Sequence, residues 1–199
     1  YFENLLSYAI ILNKLDQNFQ PTDGYLTQFS QTLPIYSDDS TVENSFSASK
    51  YYSLNDSLIL SAKLYLRSVN SFDDNVRVSK RIYIPSNRLR GFESGAIGPK
   101  DGSQYIGGNY GSAINFNSTL PNLLNGYENI DFNIFLDAAN LWHVDYDSSL
   151  DSDKIRSSTG ISMNWFTPIG PLSFSYAIPL SEAKSDKTES FRFQIGTSF

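Results

Sequence analysis

Few side chains in this 199-residue sequence could make or break a bond. Cysteine is absent, which excludes thiol nucleophiles, thiolate metal sites and a disulfide framework together. The single histidine, His143, stands beside Trp142 with no partner of catalytic type close in sequence, so it reads as a strand-end residue. The acidic run Asp145, Asp147, Asp151 and Asp153 could offer oxygens to Ca²⁺, but it lacks the Asp-x-Asp-x-Asp-Gly order and closing Glu of a calcium loop. It reads as a solvated loop, as do the acid pairs Asp38-Asp39 and Asp73-Asp74. Gly107-Gly108-Asn109-Tyr110-Gly111 has no following Lys and opens a strand, so it is no phosphate cradle. Its glycines suit a crowded wall or a bulge. The expectation is a protein without catalytic residues, metal or cofactor, and hence not an enzyme.

One stretch is different. Residues 84–99 carry Leu89-Arg90-Gly91-Phe92, two further glycines and two prolines inside the longest connection, roughly 70–103. Such composition suggests a loop of set shape that presents a cation and an aromatic ring. Folded back into a barrel lumen, the loop would bury Arg90 and require an acid on the inner wall. Asp137 is the natural candidate, since it shares the polar face of its strand with Asp131 and Asn133.

The elements that must position these residues follow from a period of two. Leu58, Leu60, Ala62, Leu64 and Leu66 alternate with Ile59, Ser61, Lys63, Tyr65 and Arg67. The same alternation runs through 130–138, 155–166, 172–178 and 191–199, and more weakly through 4–15, 24–33, 42–52 and 104–119. A side-chain period of two means a sheet with two unlike faces, and no stretch has a convincing helical period. The chain is therefore all-β, with nine expected strands, most of them longer than the ~5–6 residues usual in globular proteins.

Length and composition favour a membrane barrel over a soluble sandwich. Strands of ~9–11 residues cross a bilayer when tilted. Aromatic residues make up 15% of the chain and charged residues only 18%, with polarity carried instead by 30 Ser and 17 Asn. The net charge of −6 argues against nucleic acid as a partner. Turn-like connections (21–24, 54–56, 121–126, 167–171) alternate with more polar or longer ones (35–41, 70–103, 145–154, 181–188), the arrangement of outer-membrane barrels. Tyr25, Tyr51, Tyr52, Tyr127, Trp142, Trp165 and Phe199 near strand ends fit interfacial girdles. The sequence begins at Tyr1 and is expected to be a piece of a longer chain.

Five motifs in order carry a resemblance. Phe19-Gln20-Pro21-Thr22-Asp23-Gly24, Leu89-Arg90-Gly91-Phe92 with Ile97-Gly98-Pro99, Phe135-x-Asp137-x-x-x-x-Trp142, Pro168-Ile169-Gly170-Pro171 through Pro179, and Phe191 to Phe199 together resemble the outer-membrane insertases of the bacterial surface antigen family. The resemblance implies a transmembrane antiparallel β-barrel of sixteen strands preceded by POTRA domains. Residues 1–199 would be its C-terminal part, about nine strands, with the POTRA domains outside this chain. It implies insertion of β-barrel proteins through a lateral gate, with the terminal strand (Phe191, Phe193, Ile195, Gly196, Phe199) as one gate edge. Unfolded outer-membrane protein clients, accessory assembly lipoproteins and outer-membrane lipids are the implied partners. Two departures stand out: Ala139 replaces the family's glycine after Asp137, and the preceding strand offers Asn115 and Asn117 where some members carry Glu. Arg90 is therefore expected to rest on Asp137 alone. A related barrel of the TamA or two-partner-secretion kind and a passive porin-like channel are the alternative readings.

Overall fold

The computed structural model describes residues 2–38, 40–56, 58–72, 75–121, 123, 126–127, 129–168 and 170–196. Its strands are β1 (Glu3–Asn13), β2 (Gly24–Ser37), β3 (Thr41–Asn55), β4 (Leu58–Ser71), β5 (Lys100–Asp101), β6 (Gln104–Tyr105), β7 (Tyr110–Pro121), β8 (Ile130–Trp142), β9 (Arg156–Thr167), β10 (Gly170–Ser181) and β11 (Phe191–Ile195). Nine of them form one antiparallel sheet in the order β1-β2-β3-β4-β7-β8-β9-β10-β11, and β5 and β6 make a separate small hairpin. Chain order and sheet order agree throughout, so every long strand pairs with its neighbour in sequence.

The sheet is rolled. The β1–β2 turn sends Phe19 to within 5.2 Å of the Phe166 ring on β9, and Gln20 Nε2 donates to Asp131 on β8 at 2.9 Å. Five strand spacings separate β2 from β9, about 24 Å in a flat sheet, so the sheet must curl toward the face that carries these residues. On the opposite face Leu60, Ile134, Ile161, Tyr176, Ile178, Phe191, Phe193 and Ile195 stand exposed. Leu64, Phe132 and Phe174 share that parity and are half-buried among neighbours. An apolar outer face and an inner face of Ser, Asn, Asp and Arg is the inside-out pattern of a membrane barrel wall.

The buried core lies on the inner side, at the rim of long connections. Tyr65 and Val69 of β4, Ala113 of β7, and Ala139 and Leu141 of β8 pack against Val76, Ile82, Ile84, Leu89, Phe92 and Ile97. The inner wall is thus polar only over part of its height. Its upper third turns apolar because the connection between β4 and β7 folds inward and covers it.

Several expectations are corrected. The expected strand 104–119 is two elements: Gln104–Tyr105 belongs to the small hairpin, and the wall strand starts at Tyr110. Gly107 has a φ of +71°, and a Cβ at Gly108 would lie 2.5 Å from the Trp142 carbonyl oxygen, so the chain changes direction where only glycine fits. The inward connection accordingly runs from 72 to 109 rather than 70–103. The expected loop 35–41 is mostly strand, since β2 continues to Ser37 and β3 begins at Thr41. Pro34 is tolerated there because the ladder to β3 stops at Thr32 and the ladder to β1 shifts register opposite it. Tyr51 is not in a girdle; strand parity turns it inward, where the Lys63 ammonium lies 5.8 Å from its ring. Asp39, Asp73, Asp74 and Phe199 lie outside the described residues.

Candidate functional site

The inward connection is shaped before it is anchored. Ile82 and Gly108 exchange two backbone hydrogen bonds, and Arg88 N–H closes a turn onto Pro85. Gly91 then takes a φ of +89°, and a Cβ there would sit 3.1 Å from the Cβ of Ala177 and 3.3 Å from that of Ser158. Glycine is needed on both counts, conformation and space. Gly98, at φ +93°, is pressed against Leu141 in the same way. Leu89 and Phe92 enter the core on either side of the glycine, and Arg90 is left pointing down the wall.

Arg90 and Asp137 meet as a fork. Arg90 Nε donates to Asp137 Oδ2 at 2.7 Å, Nη2 to Oδ1 at 2.7 Å, and the Arg90 backbone N–H to Oδ2 at 3.1 Å. Asn115 Nδ2 adds a fourth donor to Oδ1 at 2.8 Å. A carboxylate has about four acceptor positions, and all four are filled. The guanidinium also lies 3.4 Å from the centroid of the Phe135 ring, so its unbonded face rests on a π surface. Asp137 is wholly buried and the Arg90 side chain 16% exposed.

The expectation that Asp137 alone holds the loop is corrected. Asn117 Oδ1 accepts from Arg90 Nη2 at 2.8 Å, and Asn115 Nδ2 also donates to the Arg88 carbonyl at 2.9 Å. Ser158 of β9 donates to the Arg90 carbonyl. Neutral amides thus share on β7 the work of positioning the arginine.

Beyond Arg90 the loop is held by the last strand. Arg192 of β11 donates from Nη1 to the Ser86 carbonyl at 3.0 Å and from Nη2 to the Phe92 carbonyl at 2.6 Å, while its Nε meets Glu189 at 3.0 Å. Gln194 Nε2 donates to Ser86 Oγ at 3.0 Å. The 182–190 connection adds backbone bonds from Glu93 to Lys187, Lys187 to Ala96 and Glu189 to Gly91. Phe191, Phe193 and Ile195 face outward, Phe193 against Phe174 at 4.9 Å, and Gly196 at φ +111° donates its N–H to Pro171.

Three further ion pairs were not singled out from sequence. Arg156 is bidentate to Asp186 at 2.9 and 3.0 Å, with both side chains fully buried. Arg81 reaches Asp145 at 2.8 Å, and Arg192 pairs with Glu189. Inward parity was a usable signal for Arg156 and Arg192. Their partners lie in aperiodic connections, so nothing in the sequence joined them.

The acidic run is structural in character. Asp145 accepts from the Val76 N–H, Asn109 and Arg81, Asp151 from the Val144 N–H, and Asp147 caps the turn at Ser149. Burial alone would raise the Asp145 pKa, but those donors outweigh it and hold the carboxyl below its ordinary value. His143 has a φ of +70° and stacks on Tyr110 at 4.9 Å. Among the described residues no cluster of His, Cys, Asp and Glu is arranged for a metal.

The chain and its fold have counterparts. The chain is 32% identical to an outer membrane protein assembly factor BamA from Neorickettsia risticii, over 98% of this chain and 27% of that protein. It is 26% identical to its namesake in Neisseria meningitidis serogroup B, over 94% of this chain and 28% of that one. The crystal structure of BamA from Haemophilus ducreyi lacking POTRA domains 1–3 superposes with a TM-score of 0.86 at 30% identity, covering 95% of this chain and 41% of that structure. The chain thus spans about a quarter of the length of these curated relatives. Its sheet is a section of an outer-membrane β-barrel wall. The Omp85 superfamily domain matches residues 1–199, and this chain belongs to the Omp85 superfamily.

Proposed function

We propose that the chain is the C-terminal part of an insertase barrel, which assembles β-barrel proteins into the bacterial outer membrane through a lateral gate. The observation that carries this reading is the inward loop, pinned to β8 through Arg90–Asp137 and to β11 through Arg192. A passive pore does not require its inward loop to be tied to the terminal strand. A barrel whose terminal strand must be held and released does. Both curated relatives are named as outer membrane protein assembly factors, which supports the same reading.

In physical terms, among the described residues β11 pairs with β10 over Leu172–Tyr176, with one backbone bond beyond each end, from Ala177 to Ser190 and from Gly196 to Pro171. Its other edge would template an incoming strand by backbone hydrogen bonding. Local thinning of the bilayer would lower the barrier to insertion. No bond is made or broken, so the protein is not an enzyme and takes no cofactor. Its partners are unfolded outer-membrane proteins, accessory assembly lipoproteins and outer-membrane lipids, with no role for nucleic acid.

The test uses the full-length protein reconstituted in lipid vesicles with a urea-denatured small barrel as client. Client folding, followed by heat-modifiability on gels, should be faster than in empty vesicles, and Arg90→Ala should slow it. Unaccelerated folding combined with steady ion conductance would identify a passive channel instead.

A further inference from the structure

Below the docked loop the inner face encloses a hollow of about 160 Å³, lined in its upper part by Lys63, Arg88, Arg90, Asn115 and Asn117. Its charges do not balance. The carboxylate at this height, Asp137, has all four acceptor positions filled by Arg90 and Asn115. Asp131, the other acid lining the hollow, is six residues further down β8, about 20 Å along the strand, where it accepts from Gln20. Lys63 and Arg88 therefore have no carboxylate of their own among the described residues. Each rests on the face of a tyrosine, Lys63 at 5.8 Å from Tyr51 and Arg88 at 5.3 Å from Tyr65, and both share the field of Asp137, a single negative charge already bonded to Arg90.

The fold forces these two cations together. Lys63 is directly opposite Asn115 in the β4–β7 ladder, and the same Asn115 holds the Arg88 carbonyl. The Lys63 ammonium, over Tyr51, and the Arg88 guanidinium, over Tyr65, are also close enough to repel each other in a partly dehydrated space, a disposition that an added anion would relieve. Asn115 cannot supply the missing charge, and both of its N–H donors are already engaged, to the Arg88 carbonyl and to Asp137.

We propose that Lys63 and Arg88 form an oxyanion site in the lumen, directly beneath the inward loop, which takes a phosphate-class group. The guanidinium supplies a planar fork and the ammonium a point charge, the combination that suits a tetrahedral oxyanion. The hollow has room for the anion with several waters, so it enters partly hydrated. Occupancy ties Arg88 to the wall two residues from the Arg90 fork and thereby tightens the loop. The site is independent of the insertase reading, because binding can be measured without any client.

The test uses the full-length protein in lipid nanodiscs with inorganic phosphate as the probe, at constant ionic strength against chloride. Titration calorimetry should show saturable binding, and the heat-modifiability midpoint should rise in phosphate relative to chloride. Lys63→Met or Arg88→Met should each weaken binding about tenfold, as expected for loss of one charge-assisted contact, and the double variant should abolish it. Methionine keeps the apolar stem against Tyr51 or Tyr65, so these variants should fold, with the midpoint in chloride as the check. The proposal is overturned if the double variant binds phosphate as the parent does, or if no saturable binding occurs. A full-length structure in which a carboxylate from another wall strand meets both Lys63 and Arg88 overturns it equally.

Discussion

Asp137 has no acceptor position left for water, so its loss would strand four donors at once. Removing one partner of a desolvated pair leaves the other uncompensated, at about 3–5 kcal/mol. In the full-length protein Arg90→Ala and Asp137→Ala should each expose the 82–99 segment to protease and slow client assembly. The double variant should be no worse than the more damaging single, and additive losses in that cycle would show that the two residues act separately. Gly91→Ala tests the neighbouring backbone. An L-residue at φ +89° costs about 1–2 kcal/mol before the overlap with Ala177 is counted, so a lowered heat-modifiability midpoint is expected even though no charge changes. Asp145 gives a pH dependence. Its folded-state pKa is depressed, so its contribution is complete above the unfolded carboxylate value of about 3.9 and fades as pH falls through the lower folded value. Hydrogen exchange at the Val76 N–H should stay slow at pH 5 and accelerate only well below pH 4. In Asp145→Asn it should be fast at both.

At the scale of elements, the inward connection is a strut rather than a loop. The same short stretch, 86–92, is held to β7 and β8 by Arg90, Asn115 and Asn117, and to β11 by Arg192 and Gln194. Because β11 is short, these side-chain contacts are a large share of what keeps it on β10. Arg192→Ala should raise exchange at the Ala177 N–H, which donates to Ser190 at the mouth of the β10–β11 ladder, while leaving the β7–β8 ladder protected. Equal loosening of both ladders would mean that the residue supports the whole wall and not the strut. The strands themselves were legible as alternation. The strut was legible only as a Gly- and Pro-rich stretch with one arginine, because its shape depends on wall residues more than 25 positions away in sequence.

For the whole molecule, the outer edges of β1 and β11 decide whether this piece can stand alone. Each unpaired backbone group facing lipid costs several kcal/mol, far beyond what a few buried contacts return. Expressed by itself in detergent, the 199-residue chain should aggregate or join edge to edge, and a compact heat-modifiable monomer in native mass spectrometry would contradict this. Ten of the eleven positions of β1 are exposed, on both of its faces, which shows the same need for a neighbour.

The sequence by itself determined that the chain is all-β, that nine long strands make its wall, and which face of most of them looks outward, because a period of two is a local signal. It pointed to Arg90 and Asp137 as candidates, but only the fold brings these residues, 47 positions apart, together. It could not determine that the upper inner wall is apolar, that Tyr51 points into the lumen, that Asn115 and Asn117 complete the Arg90 shell, or that Arg156 meets Asp186 and Arg192 reaches the Ser86 and Phe92 carbonyls. Those facts arise only when the sheet is rolled and the connection folded inside it. Side chains far apart along the chain are then buried together, and each buried polar group must take whichever partner the curvature brings within reach.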